Sequence, residues 1–477
     1  MDEQRSGQNR SNSRRKPKSK FQIFKEAYLP LVIGGVALVL IIVFICGSLS
    51  RAAQKREAAL QASIAASSAE AERLQLLEAE ARRLVLASED LASQFDYTGA
   101  IDLLDSFTGN ISDFPVIADK RAEYIQAQSS MVAWEDPSQV LNLCYQLLVA
   151  DPSRTFDHPV YATLFNRNFI TTEEFSRMLQ QIYDNGYILV RMDDFIDTLT
   201  NADGTITYAP KTLYLPAGKK PLMLTQINVN YNLYLIDSNS DQFPDKNGGG
   251  FACSMIVDEA GQITCQMIDS DGNTITGDFD LVPILNDFID AHPDFSYKGA
   301  KATLAMTGYN GLFGHRTNVE AMDYFGVDAY NTAAENATRV IEALKRDGYE
   351  FACYTYANIG YGEKGVAEIE ADLQRWVKEV EPILGTVDTL VFAQNSDIDS
   401  GTGAYSGDKF IALERQGFTK FIGYCNEGTP WASIHDTYLR MGRLMVTGSN
   451  VAHKASWFEG IFDAANILDP TRGNVPA

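Results

Sequence analysis

The chain has 477 residues, a formal net charge of −22 and 45% hydrophobic residues. This hydrophobic content supports a large buried core and excludes a mainly disordered chain. The acidic balance argues against nucleic acid as a partner, because its binders carry clustered positive charge. Histidine is the commonest metal ligand, and the chain has only five: His158, His292, His315, His435 and His453.

A basic segment and then an uncharged apolar run open the sequence. Residues 1–28 carry a local net charge of +5 and the remainder carries −27. Residues 29–49 contain no charge, and as a helix they span about 31 Å, enough to cross a hydrocarbon core of about 30 Å. The basic flank predicts a cytoplasmic N-terminus, a single pass through the cell membrane and an extracellular main domain.

A cleaved signal peptide and a lipoprotein signal are the alternatives for this apolar run. The apolar region of a signal peptide has about 7–15 residues, which is shorter than the run here. Ile45 precedes Cys46, where a lipoprotein signal needs a small residue. We therefore expect an uncleaved anchor, with the basic tail near anionic lipid.

Residues 50–90 predict a helical stalk, because they are rich in Ala, Glu, Gln and Arg and contain no Gly or Pro. Leu60, Ile64, Leu74 and Leu77 form a partial apolar seam. The seam is not kept over the three or four heptads that a sustained coiled coil requires, so self-association through the stalk stays open. Residues 91–137 predict a helical hairpin, and the main domain is expected at 138–477.

Strands and helices alternate from residue 138 onward. Thr171 and Glu174 form a capping box before an apolar stripe with helical spacing. Buried strands are predicted at 187–190 and 221–225, and hairpins over 250–280. Later strands are predicted at 302–307, 351–356, 389–393 and 418–423, with helices at 281–291, 317–325, 332–346, 365–383 and 406–416. This alternation predicts an α/β fold with a mainly parallel sheet or barrel and a site at the carboxyl ends of its strands.

A series of short segments resembles the polysaccharide deacetylases of carbohydrate esterase family 4, particularly a membrane-anchored Gram-positive branch. The matching segments are 169–175, 179–190, 218–225, 282–307, 347–352, 417–418, 440–443 and 462–472. Their order is that of the family. The resemblance implies a distorted, incomplete (β/α) barrel and a hydrolase that acts on carbon–nitrogen bonds other than peptide bonds.

The family's chemistry uses a divalent metal, usually zinc, held by one Asp and two His in an H-x-x-x-H pair, beside an Asp that acts as general base. The paired aspartates should follow the strand ending at Thr225, but the chain has Gln226-Ile227-Asn228 there. Ile227 takes the place of the base and Asn228 that of the metal-binding Asp. Tyr354 and Asn358 take the places of the two histidines. The resemblance therefore implies a domain that has lost its catalytic and metal-binding residues. No cofactor is expected, and zinc would be bound only if the interpretation of these residues is wrong.

Other polar and aromatic residues near the strand ends form a candidate groove. Tyrosine rings there could stack on sugars, although core packing is the common role of such rings. Asp397, just beyond a predicted strand, is a carboxylate that a rebuilt site could use. The candidate groove residues are Thr225, Asn230, Tyr231, Tyr309, Tyr356 and Asp397, with Tyr234 and Tyr361 also near strand ends.

A calcium-type loop is a weak second metal candidate. Asp237, Asn239, Asp241 and Asp245 occupy positions 1, 3, 5 and 9 of such a loop. Gln242 replaces the glycine of the turn and Gly248 replaces the bidentate Glu, so a solvated polar loop is the favoured interpretation.

Cys253 and Cys265 flank a predicted hairpin and could face each other. Small buried thiols are the alternative, and whether the two cysteines are bonded stays open.

Three hypotheses follow. The first is a membrane-anchored extracellular deacetylase-like protein without catalysis that binds cell-wall polysaccharide or a surface protein. The second is an active hydrolase that removes N- or O-acetyl groups with a rebuilt site that uses Asp397 and its neighbours. The third is a structural protein that assembles at the membrane through its stalk. We favour the first, because all four chemical positions of the family are replaced.

Overall fold

A computed structural model describes residues 19–399 and 401–477. The chain divides between Arg82 and Arg83 into two compact units. The first contains the apolar segment and most of the stalk, and the second contains everything that follows. The finer domain boundaries given above stay predictions.

The helices and strands of the described residues are numbered in chain order. The α-helices are α1 (Lys20–Ala27), α2 (Leu29–Ser93), α3 (Tyr97–Asp105), α4 (Pro115–Ser129), α5 (Pro152–Phe156), α6 (Ala162–Asn168), α7 (Thr172–Asp184), α8 (Leu233–Ile236), α9 (Leu281–Ala291), α10 (Val319–Phe325), α11 (Val327–Arg346), α12 (Val366–Glu379), α13 (Glu381–Leu384), α14 (Asp408–Gln416), α15 (Gly448–His453) and α16 (Ala464–Ile467). The strands are β1 (Val132–Trp134), β2 (Leu141–Tyr145), β3 (Tyr187–Leu189), β4 (Ile196–Thr200), β5 (Ile206–Pro210), β6 (Leu213–Leu215), β7 (Lys220–Ile227), β8 (Ser254–Val257), β9 (Ile263–Ile268), β10 (Thr274–Gly277), β11 (Ala302–Met306), β12 (Glu350–Cys353), β13 (Thr389–Val391), β14 (Lys420–Tyr424), β15 (Ala432–Ile434) and β16 (Leu439–Met445).

The N-terminal unit contains most of one long helix. Helix α2 runs without a break through the apolar segment and the stalk. By length and composition it could cross a membrane, as a membrane anchor or as a signal sequence. Leu60, Ile64 and Leu74, on the predicted seam, are exposed.

A parallel barrel forms the centre of the second unit. Within the described residues, seven strands pair in the order β2-β7-β11-β12-β13-β14-β16, and β16 pairs with β2 to close the ring. The predicted fold class, an α/β barrel preceded by a helix, is confirmed. The barrel is incomplete because it has seven strands, whereas a full (β/α) barrel has eight. Strand β3 pairs with the start of β7, and β8–β9–β10 form a separate antiparallel sheet.

The barrel strands alternate between two buried clusters, as inward and outward positions of a closed barrel do. Cys144, Met223, Ala305, Ala352 and Ile422 belong to one cluster, which fills the interior of the barrel. The residues between them pack against the helices: Leu143, Leu224, Leu304 and Phe421 belong to the other cluster, together with side chains of α7, α11 and α12. All barrel strands therefore end at one rim, with their last residues facing a common space.

Most predicted elements are present, with corrections at their ends. The predicted hairpin region 91–137 contains α3 and α4, and helix 281–291 is α9 with the predicted bounds. Strand β12 ends earlier than predicted because Thr355 takes a left-handed backbone conformation, with φ of 60°. Strand β13 ends at Val391 because a 3-10 turn, Ala393–Asn395, follows it. Strands β2 and β16 were not predicted.

A buried ion pair joins helix α7 to the C-terminal segment. Glu174 closes the predicted capping box by accepting the backbone N–H of Thr171 at 2.8 Å. Glu174 also accepts the backbone N–H of Asp469 at 2.7 Å and pairs with Arg472, whose Nη1 lies 2.5 Å from Glu174 Oε2. The side chains of Glu174 and Arg472 are both fully buried. Arg472 also donates to the backbone oxygens of Asn166 and Phe169 at 2.7 Å. The pair therefore fixes α6, α7 and the C-terminal segment together.

Removing one partner of this pair should destabilise the fold strongly. Glu174→Gln leaves a buried guanidinium without its counter-charge, and such a loss costs about 3–5 kcal/mol. Urea denaturation of the full chain in detergent, followed by circular dichroism, should show this loss. Arg472→Met should cost a similar amount, and the double variant should cost less than the sum of the two. The exposed pair Lys364–Glu368 provides the control, since Lys364→Met should leave the urea midpoint unchanged. A wild-type midpoint for Glu174→Gln would contradict the structural role of the pair.

Candidate functional site

A cavity of about 660 Å³ lies at the rim where the barrel strands end. Its wall contains the four residues that the sequence resemblance assigns to the base and the metal ligands, Ile227, Asn228, Tyr354 and Asn358, and many neutral polar side chains. Among the described residues its side chains include seven amides, three tyrosines and two cations but no carboxylate. The lining residues are Gln146, Leu164, Arg167, Asn168, Ile227, Asn228, Tyr234, Tyr354, Asn358, Gln394, Asn395, Tyr424, Met445, Thr447, Ser449, Asn450, Lys454 and Ala477.

Unusual backbone conformations cluster around this cavity. Asn228, Asn358, Gln394 and Asn395 have φ angles of 64°, 54°, 56° and 53°. Left-handed backbone is uncommon outside glycine and tends to collect at functional sites. Asparagine tolerates it better than most residues. The chain thus turns sharply just after β7, β12 and β13, which brings these amide side chains to the cavity wall.

The end of β7 places Ile227 and Asn228 side by side. Ile227 is 4% exposed and packs with the interior of the barrel, so an aliphatic group occupies the base position. The Asn228 backbone N–H donates to the oxygen of Ala305 at 2.9 Å. Thr307 Oγ1 donates to Asn228 Oδ1 at 3.2 Å. The Asn228 amide is therefore oriented by its neighbours on β11 and the turn that follows.

The loop after β12 carries Tyr354 and Asn358 and is held from below by Asp372. The Asp372 carboxylate accepts the backbone N–H groups of Tyr356 at 2.7 Å and Ala357 at 2.9 Å. Gln394 Nε2 donates to Asn358 Oδ1 at 3.3 Å. Burial raises the pKa of Tyr354, although the nearby Arg443 guanidinium acts in the opposite direction. The phenol of Tyr354 is consequently protonated at neutral pH.

Arg443 lies fully buried at the top of the barrel interior, directly below the cavity wall. It donates to the backbone oxygens of Ile422, Gly423 and Phe392 at 3.0, 2.9 and 2.7 Å, and to Asn395 Oδ1 at 3.0 Å. Within the described residues no carboxylate pairs with it. Arg443 therefore holds the ends of β13 and β14 together and leaves an uncompensated positive charge beneath the cavity.

The residues at the positions that the sequence resemblance assigns to the metal ligands do not fit zinc. Zinc in proteins takes cysteine, histidine and carboxylate ligands, whereas the positions here hold two neutral amides, Asn228 and Asn358, and one protonated phenol, Tyr354. Both amide oxygens already accept hydrogen bonds. In the part of the chain that the structure describes, no group of three or more His, Cys, Asp or Glu side chains is placed to hold a metal ion.

Several residues of the predicted groove lie in the core and do not line the cavity. Tyr231, Tyr356 and Tyr361 are fully buried because carboxylates accept their hydroxyl groups: Asp280 at 2.7 Å, Glu379 at 2.7 Å and Asp372 at 2.8 Å. These rings cannot stack on a ligand, so that part of the prediction is corrected.

The remaining groove residues divide between the barrel interior and the surroundings of Asn228. Thr225 is fully buried and donates to Asn142 Oδ1 at 2.9 Å. Asn230 is also fully buried, and it neighbours Tyr309. Burial raises the pKa of Tyr309, while hydrogen bonds with Asn230, Asn232, Asn358 and Asn228 lower it. Neither Asn230 nor Tyr309 lines the cavity, although both lie next to residues that do. Tyr234 does line it, with 39% of its surface exposed.

Asp397 serves a loop and not the cavity. Its carboxylate accepts the Tyr405 hydroxyl at 2.7 Å and pairs with Arg440 Nη2 at 3.1 Å. Burial raises its pKa, and Tyr405 and Arg440 act in the opposite direction. Arg440 further donates to the backbone oxygens of Asp399, Gly401 and Gly403. Asp397 does not line the cavity, so it does not supply the carboxylate that a hydrolase at this site would need.

None of the five histidines lines the cavity, and four of them are buried or half-buried. Only His453 is exposed. His158 is 8% exposed, and its Nδ1 accepts the backbone N–H of Tyr161 at 3.0 Å. His315 Nε2 lies 2.9 Å from the oxygen of Met255, and His292 and His435 are half-buried.

The calcium-type loop uses its acidic side chains in its own turns. Asp237 Oδ1 accepts the backbone N–H of Ser240 at 2.7 Å, and Asp237 Oδ2 accepts that of Gln242 at 2.8 Å. Asp245 accepts both the backbone N–H and the hydroxyl of Ser238, while Asn239 accepts the N–H of Asp241.

Cys253 and Cys265 are both buried and carry free thiols.

Most of the residues of the cavity wall were not predicted from the sequence. Gln146 follows β2, and Thr447 and Asn450 follow β16, the two barrel strands that were not predicted. A polar residue directly after a buried strand was the sequence feature by which Gln146, Thr447 and Asn450 could have been predicted. Arg167 and Lys454 gave no signal, because a single surface cation has no sequence pattern.

Comparisons with known proteins add little to this geometry. No protein-family model matches the chain, and no curated protein matches it. A solved structure similar to it is the Streptococcus pyogenes deacetylase PplD in complex with acetate, with 13% sequence identity over 67% of this chain and 94% of that chain, and a TM-score of 0.31. Likeness at this level establishes neither family membership nor function.

The left-handed backbone at Asn358 should decide which substitutions are tolerated there. Asn358→Gly keeps the conformation accessible, whereas Asn358→Val adds about 1–2 kcal/mol of strain. Urea denaturation should therefore rank Gly above Val in stability. Asn331, exposed on helix α11, provides a matched control with the reverse order, because glycine costs about 1 kcal/mol inside a helix. Equal stability of Asn358→Gly and Asn358→Val would contradict the strained turn.

Proposed function

We propose that this chain is a membrane-anchored, cell-surface, deacetylase-like protein that binds an N-acetylated glycan of the cell wall without hydrolysing it. The observation that carries the proposal is the placement of Ile227, Asn228, Tyr354 and Asn358 around one cavity at the strand ends of the barrel. These are the positions where the resembled family keeps its base and its metal ligands, and here none of them can perform either role.

The absence of hydrolysis is argued from the chemistry of the wall. A metal-activated water needs a cation to lower its pKa and a base to accept its proton. Ile227 cannot accept a proton, and the amides and the protonated Tyr354 are poor zinc ligands. In the part of the chain that the structure describes, no Asp or Glu side chain lines the cavity and could replace the base.

Glycan binding is argued from the same residues. Each amide offers both donors and an acceptor, which suits the hydroxyl and acetamido groups of sugars. Tyr234 presents a partly exposed ring at the cavity, where an apolar sugar face could pack. The volume of about 660 Å³ falls within the range of about 300–1,000 Å³ that is usual for small-molecule sites.

The location is argued from helix α2 and the charge around it. The apolar part of the helix is long enough to span a bilayer, and the basic tail favours a cytoplasmic N-terminus with the barrel outside. The exposed Leu60, Ile64 and Leu74 offer an apolar seam for self-association of the stalk.

The full chain should purify without stoichiometric zinc and should release no acetate from a tetramer of β-1,4-linked N-acetylglucosamine. Metal analysis by mass spectrometry and an enzymatic acetate assay measure the two quantities. Stoichiometric zinc together with acetate release that a chelator abolishes would contradict the proposal. If Asp397→Ala then removed that activity, a rebuilt hydrolase would be the correct account.

The same tetramer should bind in the cavity, as calorimetric titration can measure. Asn358→Gly removes an amide and keeps the turn, and loss of one hydrogen bond of about 0.5–1.5 kcal/mol predicts binding about 2- to 12-fold weaker. Tyr234→Ala should weaken binding by a similar factor through lost ring contact. Tyr324→Ala is the matched control, because Tyr324 is 64% exposed and lies outside the cavity lining. Equal weakening by all three variants would place the binding elsewhere.

A further inference from the structure

The charge of the cavity is opposite to that of the protein around it. Residues 29–477 carry a net charge of −27, yet among the described residues no lining side chain is acidic and two, Arg167 and Lys454, are basic. Both are exposed. The Arg167 side chain makes no hydrogen bond or ion pair with any residue that the structure describes. Lys454 lies 3.9 Å from the centre of the Trp457 ring, and no described carboxylate pairs with it.

Arg443, below the cavity, adds a third positive charge to those of Arg167 and Lys454. Arg443 is fully buried and is satisfied by backbone oxygens and by Asn395 Oδ1, a cavity residue. These neutral acceptors do not cancel its charge, and electrostatic interactions weaken less in buried surroundings than in water. Ala477, the last residue of the sequence, also lines the cavity. A terminal carboxylate there would balance one cation and leave the sum positive.

We propose that the glycan bound in this cavity carries an anionic group, a carboxylate or a phosphate, which Arg167 and Lys454 recognise. The inference rests on the proposed function, since it names the class of sugar that the same site takes. The amides and Tyr234 contact the neutral part of the sugar, and the two free cations at the rim pair with its negative group. Arginine forms bidentate pairs with carboxylate and phosphate alike.

Three probes on the full chain test this inference by calorimetric titration. They are the neutral tetramer of N-acetylglucosamine, a hyaluronan tetrasaccharide that alternates N-acetylglucosamine with glucuronate, and N-acetylglucosamine 6-phosphate; free N-acetylglucosamine is the neutral reference for the third probe. The hyaluronan tetrasaccharide is compared with the neutral tetramer, and N-acetylglucosamine 6-phosphate is compared with free N-acetylglucosamine. In at least one of these comparisons the anionic sugar should bind tenfold or more tightly than the neutral one. The comparison also identifies which anion is preferred. Raising the salt concentration from 50 to 500 mM should weaken anionic binding and leave neutral binding unchanged, because salt screens exposed charges.

Charge variants separate this inference from the proposed function. Arg167→Gln and Lys454→Gln should each remove most of the preference for the anionic probe, measured as the ratio of its affinity to that of the neutral probe, while Arg167→Lys should restore part of this preference. Lys378→Gln, on an exposed part of α12, should change neither. Neutral and anionic probes that bind equally, with no effect of Arg167→Gln, would overturn the inference alone. Failure of all three probes to bind would overturn the proposed function as well.

Discussion

The closure of the parallel barrel by pairing of β16 with β2 is the constraint on which the site depends. Parallel strands all end at the same rim, so residues far apart in sequence, such as Gln146, Asn228, Asn358 and Thr447, meet around one cavity. Arg443, inside this ring, ties the ends of β13 and β14 to β16 through backbone oxygens. A guanidinium without a carboxylate partner therefore serves as a structural brace and as a source of positive potential.

The chemistry of the rim differs from that of a metal hydrolase in a consistent way. Asn228, Tyr354 and Asn358 keep the capacity for hydrogen bonding but have no negative charge. The carboxylates near the site, Asp372 and Asp397, are committed to loop backbone and to Tyr361, Tyr405 and Arg440. Such a wall can bind and orient polar groups, but among the described residues it offers no acidic side chain to hold a cation or to accept a proton from water.

Sequence patterns predicted the fold class and most of the elements because buried strands and amphipathic helices have clear periods. They missed β16 because Arg440 and Arg443 made it look polar. Arg443 in fact lies inside the barrel and is satisfied by backbone oxygens. The positions of the tyrosines could not be predicted, since Tyr231, Tyr356 and Tyr361 are buried by pairing with Asp280, Glu379 and Asp372. In the first two pairs, the partners lie far apart in the chain.

The most direct measurement of the central claim is one calorimetric titration of the N-acetylglucosamine tetramer into the full chain, performed with chelator and repeated with added zinc. The affinity is expected to be the same with chelator and with zinc. After each titration the tetramer should be intact, with no free acetate. Binding or acetate release that appears only with zinc would contradict it, because the cavity would then hold a metal that Asn228, Tyr354 and Asn358 are argued not to bind.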